Sequence, residues 1–98
     1  MKKSNQPTPT FGVAWFNEED WPRLLEISED RDTLEKTHAE WLQHAEMAIK
    51  NFEKQGIKIQ KISMTPNELL IWCNERNLPV NGEARSGYAT YKMQQGER

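Results

Sequence analysis

Gly56-Ile57-Lys58-Ile59-Gln60-Lys61-Ile62-Ser63-Met64-Thr65-Pro66-Asn67-Glu68 is the stretch whose reading decides the fold class. Its first part, residues 57–64, is rich in β-branched isoleucine and lies between a glycine and a Thr-Pro pair, which predicts a strand. Ile57 and Ile59 share one face of that strand, whereas Ile62 and Met64 share the other. The phase change at Gln60-Lys61 is what a bulge produces, or a strand partly covered on both faces. The second part opens a helix. Thr65 is placed as the cap, Pro66 at the first helical position and Glu68 at the third.

Downstream, residues 69–73 read Leu-Leu-Ile-Trp-Cys. They are apolar nearly all round, which predicts deep burial. Pro79 ends this helix, because the ring of a proline steers the residue before it, Leu78, away from helical angles. Asn81-Gly82 fits a hairpin turn or a helix cap. The flanking residues do not alternate as hairpin strands do. The preferred reading is therefore a last helix capped by Asn81, with Ala84, Tyr88 and Tyr91 on one face, weakened by Gly87.

Upstream, Gly56 stops a long helix. Asp32 with Glu35 reads as a variant capping box at its start. Leu34, His38, Trp41, Ala45, Ala48 and Phe52 then advance in alternating steps of four and three. Leu42 and Ile49 widen that stripe to the breadth of a globular helix. Before it, Asn17 and the acidic run Glu18-Glu19-Asp20 suit a helix start, and Trp21, Leu24 and Leu25 form one apolar face. Pro22 does not fit the fifth position of a helix begun at Asn17. Either that helix begins nearer Asp20 or its first turn is irregular. Residues 12–16, Gly-Val-Ala-Trp-Phe, make a short apolar run and a first strand.

The expected architecture is thus α+β: a helix-dominated single domain over residues 11–94, in the order β-α-α-β-α-α, with a small two-stranded sheet. Residues 1–10, broken by Pro7 and Pro9, read as a flexible tail, and residues 95–98 as a frayed end. A chain of 98 residues supports one core. Its one cysteine, Cys73, forms no internal disulfide, so a reducing cytoplasmic setting is expected. Met1-Lys2-Lys3 is followed by no apolar segment of the kind a secretory signal needs, and no stretch approaches the length of a membrane span. Charge is uneven along the chain. Residues 16–46 hold ten acids and three bases, whereas residues 47–98 hold eight bases and five acids. Two solvated faces of opposite sign account for this, and the sharper alternative is head-to-tail electrostatic association or a weakly basic C-terminal surface for an anionic partner.

One set of short motifs spans most of the chain. An aromatic strand is followed by Trp21-x-x-Leu24, Asp30-Arg31-Asp32, Trp41-Leu42, Gly56-Ile57-x-Ile59, Trp72-Cys73 and Ala84-Arg85. In this pattern the chain resembles a family of small uncharacterised bacterial proteins. The resemblance implies a single compact domain of mixed helix and strand, and no activity. Pro22 departs from the pattern at the first helix.

Residues able to carry chemistry are sparse. His38 and His44 lie six residues apart on the long helix, about 120° around its axis, and cannot share one metal. Glu35 with His38 and Glu40 with His44 have the spacing of local helix pairs. Cys73, between Trp72 and Asn74 in the most apolar helix, suits packing better than nucleophilic work. No serine sits in a nucleophile elbow, and the glycines never gather into a phosphate loop. No catalytic residue, cofactor or metal site is expected. Residues 65–92 form two helices joined by Leu78-Pro79-Val80 and loosely match a helix-turn-helix, which makes Arg76, Arg85, Tyr88 and Lys92 the candidate recognition residues. Acids outnumber bases overall, which speaks against nucleic acid as a partner. The expected function is therefore a non-catalytic interaction or structural module that self-associates as a homodimer. A nucleic-acid-associated protein using residues 65–92 is the alternative, and an enzyme with an unrecognised site the third reading.

Overall fold

The computed structural model describes residues 10–96. β1 (Thr10–Trp15) and β2 (Lys58–Ser63) form a two-stranded parallel sheet, and between them run α1 (Trp21–Ile27) and α2 (His38–Lys54). After β2 come α3 (Pro66–Glu75) and α4 (Gly82–Gln94). Short 3-10 turns at Glu18–Asp20 and Arg31–Thr33 precede α1 and α2. The α+β class, the dominance of helix and the order of the six main elements are those the sequence implies. The two strands pair within one chain. The outermost residues of the expected tail and frayed end, 1–9 and 97–98, lie outside the described residues. Thr10, counted with the tail, already belongs to β1, which opens two residues before the expected Gly12.

The register runs without interruption from Thr10 opposite Lys58 to Trp15 opposite Ser63. There is no bulge at Gln60-Lys61. The phase change in the isoleucines comes instead from cover on both sheet faces, the second of the two readings. α4 lies over the face that carries Gly12 and Ile62, while α2 lies over the face that carries Trp15 and Lys61. On the α2 side, Trp15 packs on Trp41 with ring centroids 4.9 Å apart, and Lys61 reaches Glu46. On the α4 side, Ile62 is fully buried against the core of Leu24, Leu69, Cys73, Ala84 and Ala89.

Pro22 is accommodated because the helix restarts. Asn17 and its acidic run make only a 3-10 turn, Asp20 is the residue before α1, and Pro22 stands at the second helical position, where no donor is needed. The expected start of α2 at Asp32 is corrected. Residues 31–33 form a 3-10 turn, Leu34 leaves it extended, and α2 begins at His38 under the side chain of Thr37, which accepts from the Glu40 amide at 3.1 Å. The reason lies in Trp21. Its indole N–H donates to the Glu35 carbonyl at 3.0 Å, which anchors residue 35 across to α1.

The start of α3 follows the reading closely. Thr65 and Glu68 form a reciprocal capping box, at 2.8 Å and 3.2 Å, with Pro66 at the first position. Burial of its middle does not follow. Leu69 and Cys73 are fully buried, but Ile71 is 58% exposed, because α3 packs on α1 and α4 and leaves a third side to solvent. Asn81 caps α4 through the Ala84 amide, so the Asn81-Gly82 hairpin does not form. Ala84 and Tyr88 are buried as expected, whereas Tyr91 stays on the surface.

α4 approaches β1 at Gly12. A Cβ there would meet Ile62 Cγ1 at 3.1 Å, Met93 Sδ at 3.3 Å and the Ala89 carbonyl at 3.5 Å. Gly12 therefore serves close approach of a helix to a strand. Replacing Gly12 by Val should cost about 1–3 kcal/mol, the usual penalty of overpacking, read as a lower urea midpoint with an unchanged slope; an unaltered midpoint would show that α4 does not sit this close.

Candidate functional site

Two polar networks lie along α4. The first is at the carboxyl end of β2. Lys92 reaches back from the last turns of α4 and donates to the Ser63 carbonyl at 2.9 Å and to Glu68 Oε1 at 2.8 Å. The Tyr88 hydroxyl donates to the same Glu68 oxygen at 2.7 Å. Glu68 Oε2 accepts from the Thr65 amide in the capping box. Lys92 is only 9% exposed, so its charge needs these partners. Burial by itself raises the Glu68 pKa, but Lys92, the Thr65 amide and Tyr88 together outweigh it and hold the carboxyl below its ordinary value.

The second cluster is at the start of α4. Arg85 makes a two-pronged bond to Asp30, at 3.2 Å and 2.6 Å, and also donates to the Ser28 hydroxyl at 3.2 Å. Asp30 further accepts from the Gly82 amide, and Asn81 reaches Glu29. Burial again pushes the Asp30 pKa up, while Arg85 and the amides pull it lower overall. The Asp30-Arg31-Asp32 and Ala84-Arg85 motifs, 55 residues apart between Asp30 and Arg85, thus meet in space.

A Glu-Tyr-Lys group has the residue types of acid-base catalysis. Here each reactive atom is bonded within the fold, and the adjoining cavity holds only about 120 Å³. That is well below the ~300 Å³ at which ligand pockets begin. The arrangement can therefore clamp α4 to the sheet and to α3, but it leaves no room for a substrate. Of the four candidate recognition residues, Arg85, Tyr88 and Lys92 are engaged in these clamps. Arg76 stands apart. Its guanidinium lies 4.4 Å over the Trp72 ring and 5.4 Å from that of Tyr91. The four do not form one basic stripe.

The histidines are likewise structural in their contacts. His38 bonds the Phe16 carbonyl through Nε2 at 2.8 Å, with its ring packed between Trp21 and Trp41. His44 bonds Glu35 through Nδ1 at 2.6 Å. Glu35 therefore pairs with His44 and not with His38, because residue 35 precedes the helix and its spacing is no longer helical. The hydrogen bond from His44 is the chief reason that the Glu35 carboxyl titrates lower than usual. Among the described residues no group of three or more His, Cys, Asp and Glu is placed to hold a metal, and no helix is long and apolar enough to cross a membrane.

A mostly apolar cleft of about 340 Å³ between α3 and α4 is lined by Trp72, Leu78, Pro79, Ala84 and Gly87, with Asn81 and Glu83 at its polar side. The buried Trp72 indole N–H has no hydrogen-bond partner. A notch of about 250 Å³ lies against β1, between Trp41 and the start of α4. Sequence reasoning missed this notch, since it depends on where α4 crosses β1. No protein-family model, curated protein or solved structure matches the chain.

Two outcomes follow from these contacts. The Glu68 and Asp30 pKa values are lower in the fold than in the unfolded chain, so the unfolded chain takes up protons first as pH falls. The stability they contribute is complete above their ordinary values, 4.5 for Glu68 and 3.8 for Asp30, and is lost as pH drops through the folded values. The thermal midpoint should hold steady near neutrality and fall below that point, and Glu68→Gln should lower the midpoint at pH 7 while flattening the acid limb. An acid limb of unchanged steepness in Glu68→Gln would remove Glu68 from this account. Cys73 is the second case. Burial pushes its thiol pKa up, with Arg76 and Arg85 opposing only in part. A thiol reagent should label it slowly in native protein and fast in denaturant; fast native labelling would show that the site opens.

Proposed function

We propose that this chain is a non-catalytic interaction module that associates with a second copy of itself through α2. The observation that carries the reading is the uncovered part of the α2 stripe. At 100° per residue, Trp41, Ala45, Ala48 and Phe52 lie within about 60° of one another around the axis. Ile49, the buried residue of α2, lies on the flank turned to β2. Ala48 is exposed and Phe52 is 42% exposed. Trp15 packs on Trp41 near the start of α2, so the helix runs back along β1 and carries Phe52 toward the end where Phe11 lies. Phe11 shares the sheet face of Trp15 and is 55% exposed.

Two features favour a second copy as the occupant. Small residues at Ala45 and Ala48 permit a helix to approach closely. Two such helices placed antiparallel bring the same patch together on both copies, as a two-fold dimer requires. The engagement of Arg85, Tyr88 and Lys92 inside the fold supports this reading over nucleic-acid binding by residues 65–92, because those side chains are not free to meet phosphate.

Light scattering after size exclusion at low micromolar concentration should give twice the 11.5 kDa chain mass. Ala48→Arg should return it to the monomer mass with the circular dichroism spectrum unchanged. A monomer mass for the unaltered chain across a tenfold dilution series would reject the dimer.

A further inference from the structure

In the notch beside β1, open backbone groups and a shaped cavity coincide. In a parallel pair, alternate residues of a strand point both N–H and C=O at the neighbouring strand, and those between point away. The Met64 amide donates to the Trp15 carbonyl at 3.1 Å. Trp15, Val13 and Phe11 therefore face β2, while Gly12 and Ala14 turn their N–H and C=O outward. Among the described residues the sheet has no third strand to meet them. One step further along, the outward carbonyl of Phe16 is taken by His38 at 2.8 Å, which closes the edge at that end.

The outward groups of Gly12 and Ala14 open into the notch. One wall is Trp41 of α2, and the other is Gly82, Arg85 and Ser86 of α4. We propose that this notch takes a third strand from a partner: a short extended peptide, apolar on the side that meets Trp41 and Val13, and small-sided where it meets Gly82 and Ser86. Four backbone groups of β1 would supply its hydrogen bonds, as in other cases of strand addition to a sheet edge. The two walls would read alternate side chains. Arg85 adds no net attraction for charge, because Asp30 already answers it.

A second copy does not fit the same edge. Antiparallel pairing of two β1 strands about a two-fold axis keeps both α4 helices on one face of the joint sheet. Neighbouring strands stand about 4.8 Å apart, but packed helices need about 8–10 Å. α4 sits chiefly over β1 and not over β2, so the two helices would collide. The outer edge of β2 is not an equivalent site, since it carries the exposed Lys58 and Lys61, which discourage pairing. The occupant of the β1 edge must therefore bring a strand without a helix above it.

The test is selection from a displayed library of random nine-residue peptides on the full chain, run in parallel on the Ala48→Arg variant. Selected sequences should alternate apolar and small residues and should bind both proteins equally, which separates this site from association through α2. Synthetic copies of them should lose affinity by about tenfold or more on Ser86→Trp, which fills the notch from the exposed side of α4. Ala14→Pro should do the same, because it removes one outward N–H and leaves the bonds of Val13 and Trp15 to β2 in place. Should Ala14→Pro fail to fold, Ser86→Trp decides alone. Absence of any enriched peptide, or enriched peptides that bind Ser86→Trp undiminished, would overturn the proposal. So would a dimer mass that Ser86→Trp abolishes, since a second copy would then occupy the notch.

Discussion

A parallel sheet of two strands cannot stand in water by itself, and everything else in this fold answers that constraint. Each strand has one partner and one open edge, and neither face is wide enough to bury much. The sheet persists because helices press on both sides of it. α4 does most of the pressing, and it can do so because Gly12 removes the side chain that would hold it away. Ala89 faces the strand from the helix and is fully buried, so the contact is small residue against small residue. α2 covers the other face through Trp41 against Trp15, with Lys61 lying 4.4 Å over the Trp15 ring.

α4 is held in that position by polar anchors at both ends. Arg85 ties its start to Asp30 and Ser28, just after α1, and Lys92 with Tyr88 ties its end to Glu68 at the head of α3. One carboxylate thus caps α3, neutralises a buried lysine and receives a buried phenol. Lys92 and Tyr88 are buried, Arg85, Asp30 and Glu68 are partly so, and each is partnered, which is the condition under which polar networks fix one arrangement and do not weaken it. Among the described residues, what stays open on the surface includes an apolar helix stripe, a mostly apolar cleft and a strand edge.

Much of this architecture was legible in the residues, and the parts that were not share a cause. The Thr65-Pro66-Asn67-Glu68 start, the Asn81 cap and the strand of isoleucines are local signals, and they gave their elements near the right boundaries. α2 was misplaced at its start because Asp32 and Glu35 mimic a capping box, while the Trp21 indole competes for the Glu35 carbonyl from another element. The isoleucine phase change looked like a bulge because cover on two faces is a tertiary fact. Ile71 looked buried because its neighbours were apolar, though α3 has an open side. Arg76, Arg85, Tyr88 and Lys92 were singled out as candidate recognition residues, but the partners that engage three of them, Asp30, Glu68 and Ser63, lie far away in sequence and gave no local signal. The notch at Gly12 and Ala14 had no sequence signal beyond the small residues themselves.

Residue-resolved hydrogen exchange in the native protein tests the central claim most directly, because it reads both the clamp and the open edge from one strand. The amides of Val13 and Trp15 on β1, with those of Ile62 and Met64 opposite, should exchange only by opening of the whole domain, with protection near the global unfolding free energy. Those of Gly12 and Ala14, turned outward into the notch, should exchange far faster. Equal, strong protection along β1 would contradict the account, since the outer edge would then be covered, and uniformly fast exchange would show that α4 does not hold the sheet.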